Sequence, residues 1–589
     1  MKRAREEPRN LKTSPAVANK AARIDSGGRN GSQNDVTTTR SASQASSKPN
    51  NRCPYLDTIN RQLLDFDKPK LCSVTMSTEN VYACLVCGTY FQGRGKGTRA
   101  WTHACQNAHH VFMKISGSGK GSIWCLPDNY EVVDESLRDI RFALEPTYSG
   151  CDISALDANK RLATDVQGVK YLPGFVGLNN VGHTDYINAT VVAISHVTPV
   201  REFFLDRSNW IDSKVRLVHR FGELLARLWS TGNYRNAVSP HDFVQEVSTC
   251  SKRRFGIGRQ EEVVNFMQWL LNTLAAGIMP RSPQPHGGSV THGAGAWPTD
   301  ENGLTTNPIL RPFQGLVEVR SERRKKVTLA DLERRQQSGS AGVEAESGEW
   351  ETIVVPFLFL GIDLPPVPLF KDSQGGNVIP QVPFFTVMNK YDGETVTDRM
   401  VRGERVRKRY TLKRLPDILV CHFARFTKNN FFREKNPTIV NFPVKNLEMK
   451  RYLFADANDP ALFPPDSQIS KMGVGALKAV LNRHGVSATG CIEKADLVSR
   501  LRTEVLSRKQ ASGSTKFDLL ANICHDSPAD MERQDVKADP LKEGSYRVHV
   551  RNKGIDQWYE IEDLHVEETL PQLIALSESY LAMYERKVS

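Results

Sequence analysis

The chain has 589 residues with 78 Lys and Arg against 66 Asp and Glu, a formal charge of +12, and 39% of it is hydrophobic. No apolar run approaches the roughly 18 positions that a membrane-spanning helix needs, and the opening MKRAREEPRNLK lacks the apolar stretch of a secretory signal, so neither membrane insertion nor secretion is expected. Eleven cysteines are too few for a disulfide scaffold, which favours a reducing compartment, cytosol or nucleus.

Residues 1–50 hold ten Lys and Arg against four Asp and Glu, half of the net charge, and no aromatic residue. So little apolar surface cannot offset ordering entropy, and a disordered basic tail is expected. Within it, Lys2-Arg3-Ala4-Arg5 fits either a nuclear import signal or a plain solvated tail. From 51 to about 145, Cys, His and aromatic residues are dense, which reads as a small metal-stapled domain. A short polar connection with a helical pattern occupies 146–172.

A long mixed block runs from 171 to 585. Helices are predicted over 185–198, 213–228 and 260–274, and strands over 352–360, 417–423, 516–524, 545–551 and 557–561, where β-branched and aromatic residues concentrate. Helices followed by strands in one block indicate an α+β domain. Two stretches interrupt it. Residues 281–303 are rich in Pro, Gly and His, while 321–348 begin as a basic helical pattern and end in Gly, Ser, Ala and Glu; both read as solvated insertions. Residues 469–507 read as a further insertion of two amphipathic helices, with Val474, Leu477, Val480 and Leu481 on the first and Leu497, Val498 and Leu501 on the second. Gly485 fits the end of the first, and Glu493-Lys494 opens the second.

The metal chemistry lies early. Cys84 and Cys87, two residues apart, precede His103 and His109. Zinc takes tetrahedral thiolate and imidazole ligands, and a Cys-x2-Cys turn brings two sulfurs to one ion. A segment of about 90 residues has a limited core, so one structural Zn2+ would supply folding free energy. His110 competes with His109 as a ligand. Cys53, Cys72, Cys105 and Cys125 lie nearby, but their spacing closes no second tetrahedron.

This segment, through NVYACLVCGTYFQGRG (80–95), WTHACQNAHHVF (101–112) and WCLPDNY (124–130), resembles the zinc finger of ubiquitin-specific proteases. Thr75 and Gln92 stand where that family often places further cysteine ligands. In members that bind free ubiquitin, an Arg and a Tyr read the Gly-Gly tail. Arg94 matches the Arg, but Leu126 stands at the Tyr position, which speaks against tail binding and for a structural or partner-docking role.

The later block resembles the same family's papain-like catalytic domain. In GFVGLNNVGHTDYINATVVAISHV (174–197), Gly177, Leu178, Asn180, Gly182, Thr184, Tyr186 and Asn188 fall in register with the nucleophile box G-L-x-N-x-G-x-T-C-Y-M-N-S, and the nucleophile position is Asp185. In LKEGSYRVHVRNKGIDQWYEIEDLHV (541–566), Gly544 and Tyr546 match the histidine box, so the base position is Ser545. Glu562 and Asp563 fall where the orienting carboxylate belongs. A triad needs nucleophile, base and orienter in contact, and two of the three are gone. Asn180, the oxyanion donor of active relatives, is retained, and Asp185 is expected to act as a helix N-cap. Cys250, Cys421 and Cys524 read as small buried hydrophobes, so none substitutes as nucleophile. LKRLPDILVCHFARFTKNNFFREKNPTIVNFP (412–443) keeps the family's core strand and Arg-Phe signature.

Together with CPYLDTINRQLLDFD, these features resemble the catalytically inactive branch of the family associated with the splicing tri-snRNP. That resemblance implies a non-catalytic nuclear scaffold supporting tri-snRNP assembly or stability and pre-mRNA splicing. The implied partners are tri-snRNP proteins, its large RNA helicase being a candidate, with snRNA contact indirect or minor. The competing functions are a working deubiquitinase and a ubiquitin-binding module acting on nuclear proteins. The 469–507 insertion resembles a SAP-like helical pair, for which a solvated or protein-contacting role is favoured over nucleic-acid contact.

Overall fold

A core must first exclude water from the Val-, Ile- and Leu-rich runs of the body, and helices and sheet do this in layers. This computed structural model describes residues 53–158, 160–278, 303–323, 349–367, 379–401, 404–428, 433–453, 471–483, 493–502, 514–527 and 539–587, with positions 297, 299, 300 and 469 between them. The basic tail, Gly485 and most of 281–303 and 321–348 lie outside the described residues.

In the finger, strands β1 (Val81–Cys84), β2 (Tyr90–Gln92), β3 (Val111–Lys114), β4 (Ile123–Cys125) and β5 (Tyr130–Glu131) form an antiparallel sheet in the order β2–β1–β3–β4–β5. Alternate side chains serve two small cores, one on each face. Val81, Ala83, Val111, Met113 and Ile123 pack with Ile140 and Leu144 of helix α2 (Arg138–Leu144), which follows the sheet. Tyr82, Cys84 and Phe112 pack with Ala100 and Ala104 of α1 (Arg99–Asn107), which links β2 to β3.

Helix α3 (Gly150–Ala155), opened by a capping box between Ser149 and Asp152, falls within the expected helical connection. The body then begins with α4 (Asp185–Ser195), all eleven residues of which are buried, followed by α5 (Thr198–Leu205), α6 (Arg216–Leu228), α7 (His241–Cys250) and α8 (Val263–Gly277). The helix predicted over 185–198 ends early because Pro199 sits in the first turn of α5, where a missing N–H costs nothing but cannot continue the helix before it.

Strands β6 (Gly315–Arg323), β7 (Glu349–Phe357), β8 (Leu360–Asp363), β9 (Thr397–Val401), β10 (Glu404–Arg414), β11 (Ile418–Ala424), β12 (Lys516–Asp526), β13 (Ser545–Asn552), β14 (Gln557–Glu562), β15 (His565–Thr569) and β16 (Ser579–Arg586) make two sheets. One is antiparallel in the order β7–β6–β10–β9. The other runs β8–β11–β16–β12–β13–β14–β15, with a short strand Leu447–Glu448 also on β12. The single strand predicted over 352–360 is therefore two, divided between the sheets. Ser321–Arg323 are not the start of a basic helix either; they pair with Glu349–Glu351 and extend β6.

Helix α4 lies against β12, β13 and β14 in the larger of two body cores, where Ile187, Val191 and Ile194 meet Val548, Val550 and Ile561. The Arg425 guanidinium is fully buried, donating to the carbonyls of Ser579 (2.7 Å), Asn436 (2.9 Å) and Thr438 (2.7 Å), which explains a charged residue at the end of a core strand.

In the insertion, α9 (Val474–Arg483) and α10 (Lys494–Arg500) share a separate core of Ile469, Leu477, Val480, Leu481, Leu497 and Leu501. Glu493 opens α10 through a capping box with Asp496. Val474, expected in the apolar stripe, is instead 44% exposed at the start of α9.

Finger and body close on each other through charge as well as apolar surface. Lys70 reaches Asp242 at 2.6 Å, Arg235 reaches Asp65 at 3.2 Å, Lys120 reaches Glu223 at 3.4 Å, and Arg227 pairs with Asp67. Burial pulls both lysines below their ordinary value. Against its own burial, Asp242 is drawn down to about 2, chiefly by Lys70.

Candidate functional sites: a metal cluster and a closed cleft

The four finger residues singled out by spacing converge. Ligand atoms of Cys84, Cys87, His103 and His109 all lie within 4.8 Å of one another. Cys84 comes from the end of β1, Cys87 from the turn after it, His103 from α1 and His109 from the loop entering β3. Two thiols and two imidazoles at this separation suit a tetrahedral metal. The mutual hydrogen bond of the two sulfurs pulls the Cys87 thiol down and, with burial, pushes the Cys84 thiol up.

His110 turns away. Its Nδ1 meets the Leu126 carbonyl at 2.8 Å and its ring stacks on Tyr55, so His109 alone faces the cluster. Thr75 and Gln92 do meet, Oγ1 donating to Oε1 at 3.0 Å, while the Thr75 N–H reaches the Cys72 sulfur at 3.4 Å. The place of a second thiolate site is thus closed by neutral hydrogen bonds. Arg94 stacks over the Trp124 ring at 3.4 Å and donates to Asn129 at 2.7 Å, and Leu126 is fully buried.

In the body, Asp185 is the first residue of α4 rather than its cap. Thr184 holds the cap position without a side-chain bond to the helix. The Asp185 carboxylate points across the cleft instead, where Oδ2 accepts from the Tyr546 N–H of β13 at 2.7 Å and from Gln260 Nε2 at 2.8 Å. It is only 4% exposed. Burial pushes its carboxyl above the ordinary range, and the two donors oppose that shift.

Ser545, one residue before that N–H, donates to Glu562 at 3.0 Å. Asp563 holds the other side: one carboxylate oxygen accepts from Asn180 Nδ2 and the other from Asn188 Nδ2, both at 2.9 Å. Asn180 is therefore engaged at its amide N–H as well as at Oδ1, which accepts from the Gly182 and Thr184 N–H groups at 3.0 Å. The expected oxyanion donor is committed to a carboxylate. Gly177 permits this closure, because a Cβ there would sit 2.7 Å from the Leu564 Cα beside the Asp563 turn.

Two family descriptions match the chain. Residues 176–584 match "Ubiquitin carboxyl-terminal hydrolase", and residues 72–137 match "Zn-finger in ubiquitin-hydrolases and other protein". The chain belongs to the ubiquitin carboxyl-terminal hydrolase family. It is 37% identical to "Ubiquitin carboxyl-terminal hydrolase 39" of Homo sapiens over 91% of this chain and 80% of that one. It is 33% identical to "Probable mRNA-splicing protein ubp10" of Schizosaccharomyces pombe over 90% and 88%. "Pre-mRNA-splicing factor SAD1" of Saccharomyces cerevisiae is 28% identical over 66% and 75%. The fold matches the "Crystal structure of an essential yeast splicing factor" with a TM-score of 0.60 at 23% identity, covering 90% of this chain and 99% of that one.

For a hydrolase-family chain, the other cysteines matter. Cys250 is exposed at the end of α7, contrary to expectation, its thiol raised by partial burial and by Glu246. Cys421 is fully buried in β11, and burial raises its thiol. Cys524 is buried but not in apolar surroundings. Its sulfur lies 3.7 Å from His549 Nδ1, whose Nε2 is 2.8 Å from Glu560, and it also meets Asn522 and Ser577. This Cys-His-Glu row, buried at Cys524 and His549 and half-buried at Glu560, crosses three strands, and nothing in the sequence spacing announces it.

Four histidines give stability a defined pH profile. Burial lowers His196 and His422 to about 4 and His525 to about 3. Each binds its proton more weakly folded than unfolded, so their contribution is complete above about pH 6.5 and is lost as pH falls through 4 for His196 and His422 and through 3 for His525. His549 is the opposite case: burial opposes protonation, but Cys524 and Glu560 outweigh it and raise the imidazole to about 9. Its contribution is complete below about pH 6.5 and is lost as pH rises through 9. Thermal midpoints measured from pH 4 to 9 should peak near 6.5. His422→Phe should flatten the acid limb and His549→Gln the alkaline one.

Proposed function

We propose that the protein is a non-catalytic nuclear scaffold that supports assembly or stability of the splicing tri-snRNP. The observation that carries this reading is the Asp185 carboxylate, buried at the family's nucleophile position and held by the Tyr546 N–H and Gln260. Isopeptide cleavage in this family needs a thiolate and an imidazole. A carboxyl at 185 and a hydroxyl at Ser545, bonded to Glu562, supply neither. The names of the relatives, two of them splicing proteins, favour a splicing role over proteolysis.

In this reading residues 51–145 are a UBP-type zinc finger in which Cys84, Cys87, His103 and His109 hold one structural Zn2+. Residues 171–585 are the pseudoenzyme body, 469–507 a SAP-like helical insertion within it, and 1–50 a basic tail that aids nuclear entry. The partners are tri-snRNP proteins, the large RNA helicase among the candidates, and contact with snRNA is indirect or minor. Ubiquitin tail capture is disfavoured, because Arg94 is engaged and Leu126 is buried where a tyrosine would be needed.

Depleting the protein from nuclear extract should stall pre-mRNA splicing and lower the amount of intact tri-snRNP. Wild-type protein and folded Asp185→Asn should restore both alike. Rescue lost with Asp185→Asn, or ubiquitin release by purified protein, would overturn the reading.

A further inference from the structure

A cavity of about 230 Å3 lies where the finger, the connection and the body meet, and neither the metal cluster nor the cleft uses it. Its apolar walls are Phe66 of the finger, Leu144 at the end of α2, Phe204 and Leu205 of α5, and Trp210, all buried. Gly222 of α6 shapes one side: a Cβ there would come within 2.6 Å of the Trp210 ring, so only glycine lets the indole lie against the helix. Protein interiors leave few spaces larger than a water molecule, so a space of this size between packed elements calls for an occupant.

Size and charge decide what fits. An engineered apolar cavity of about 150 Å3 accepts benzene, and pockets for drug-sized ligands run from about 300 to 1,000 Å3. A volume of about 230 Å3 falls between them, with room for one two-ring group such as an indole and too little for a nucleotide. The cations on the lining are already matched within the chain. Lys70 faces Asp242 at 2.6 Å, Lys120 lies between Glu223 at 3.4 Å and Glu145 at 3.7 Å, Arg207 pairs with the same Glu145, and Arg227 pairs with Asp67. Two polar atoms of the aromatic lining are engaged too: Trp210 Nε1 donates to the Phe204 carbonyl at 2.8 Å, and the Tyr148 hydroxyl donates to the Ala226 carbonyl at 2.6 Å. A charged occupant would have to break one of the ion pairs, whereas a neutral apolar one would not. Four cations around apolar walls also suit the negative face of an aromatic ring better than an aliphatic chain. An aromatic side chain seated in a buried pocket with a charged rim is how protein interfaces are anchored.

We propose that this cavity receives one indole-sized aromatic side chain, a tryptophan, from a protein partner in the splicing assembly. The choice of partner rests on the scaffold reading above; the size and chemistry of the cavity do not.

Two variants close the site from within. Ala226→Phe, at a half-buried position of α6 on the lining, fills the space, and Thr147→Trp, at an exposed position on the lining, supplies a ring of the chain's own. Both should bind zinc and melt no lower than wild type, because each adds apolar contact; if one of them unfolds, the other decides. N-acetyl-tryptophanamide is the probe. Saturation-transfer NMR on purified full-length protein should show the probe binding to wild type and about tenfold more weakly to each variant, with no transfer to N-acetyl-leucinamide. In depleted nuclear extract reconstituted with each protein, the variants should lose about tenfold or more of the co-sedimentation with the tri-snRNP that wild type shows.

No transfer to the tryptophan probe, equal transfer with the variants, or equal binding of the leucine probe would overturn this inference alone. So would variants that co-sediment as wild type does. Failure of wild type itself to co-sediment would overturn the scaffold reading and the choice of partner with it, while the probe would still decide whether the cavity takes an indole.

Discussion

Full-length Cys87→Ala should lose its metal and melt the finger while the body keeps a cooperative transition. The four ligand atoms converge within 4.8 Å from β1, the turn after it, α1 and the loop before β3, so one ion would tie together pieces that are distant in sequence. Structural zinc in finger peptides contributes about 10–16 kcal/mol of apparent binding free energy at neutral pH, most of it realised as folding. Removing one thiolate should lower zinc from about one ion per chain to near zero and open the finger to proteolysis, whereas His110→Ala should do neither. Elemental analysis and limited proteolysis check this; a Cys87→Ala protein as protease-resistant as wild type would show that the cluster is not structural.

The second large effect concerns Asp185. As a helix cap it would contribute about 0.5–2 kcal/mol. As a buried acceptor for the Tyr546 N–H and Gln260 it contributes more, because Asp185→Ala leaves the buried Tyr546 N–H unpaired, at about 1–3 kcal/mol, and leaves the half-buried Gln260 amide only its 3.4 Å contact with the Gly544 carbonyl. We expect Asp185→Ala to lose roughly 2–4 kcal/mol in denaturant unfolding, and Asp185→Asn, which keeps an acceptor, roughly half of that. Catalysis should not appear with Asp185→Cys, since no imidazole stands at 545. Nor should the double variant Asp185→Cys/Ser545→His turn over ubiquitin substrates readily, because Asp563 holds the Asn180 amide away from an oxyanion. Efficient turnover by that double variant would show the cleft to be open after all.

What could be read without coordinates follows from distance along the chain. The zinc ligands form local pairs, and the altered positions 185 and 545 lie inside motifs whose flanking residues fix the register. The partners of Asp185 are not local: Gln260 is 75 positions away and Tyr546 is 361. Without them an aspartate at a helix start reads as a cap. Glu562 and Asp563, adjacent in sequence, also look interchangeable until the strand end sends one to Ser545 and the other to Asn180 and Asn188. Cys524 misleads for a similar reason: its strand pattern is apolar, but His549 reaches it from the neighbouring strand. The strand predicted over 352–360 is continuous in propensity, and only the pairing of β7 with β6 and of β8 with β11 divides it.

Four ion pairs join finger to body. Two modules on a loose tether must surrender their relative freedom each time both engage one target, and the second contact is discounted accordingly. Here Lys70, Lys120, Arg227 and Arg235 of the two faces are matched to Asp242, Glu223, Asp67 and Asp65 before any target arrives. A target that touched both finger and body would therefore meet them at a preset span, and would gain avidity only if its own two sites matched that span.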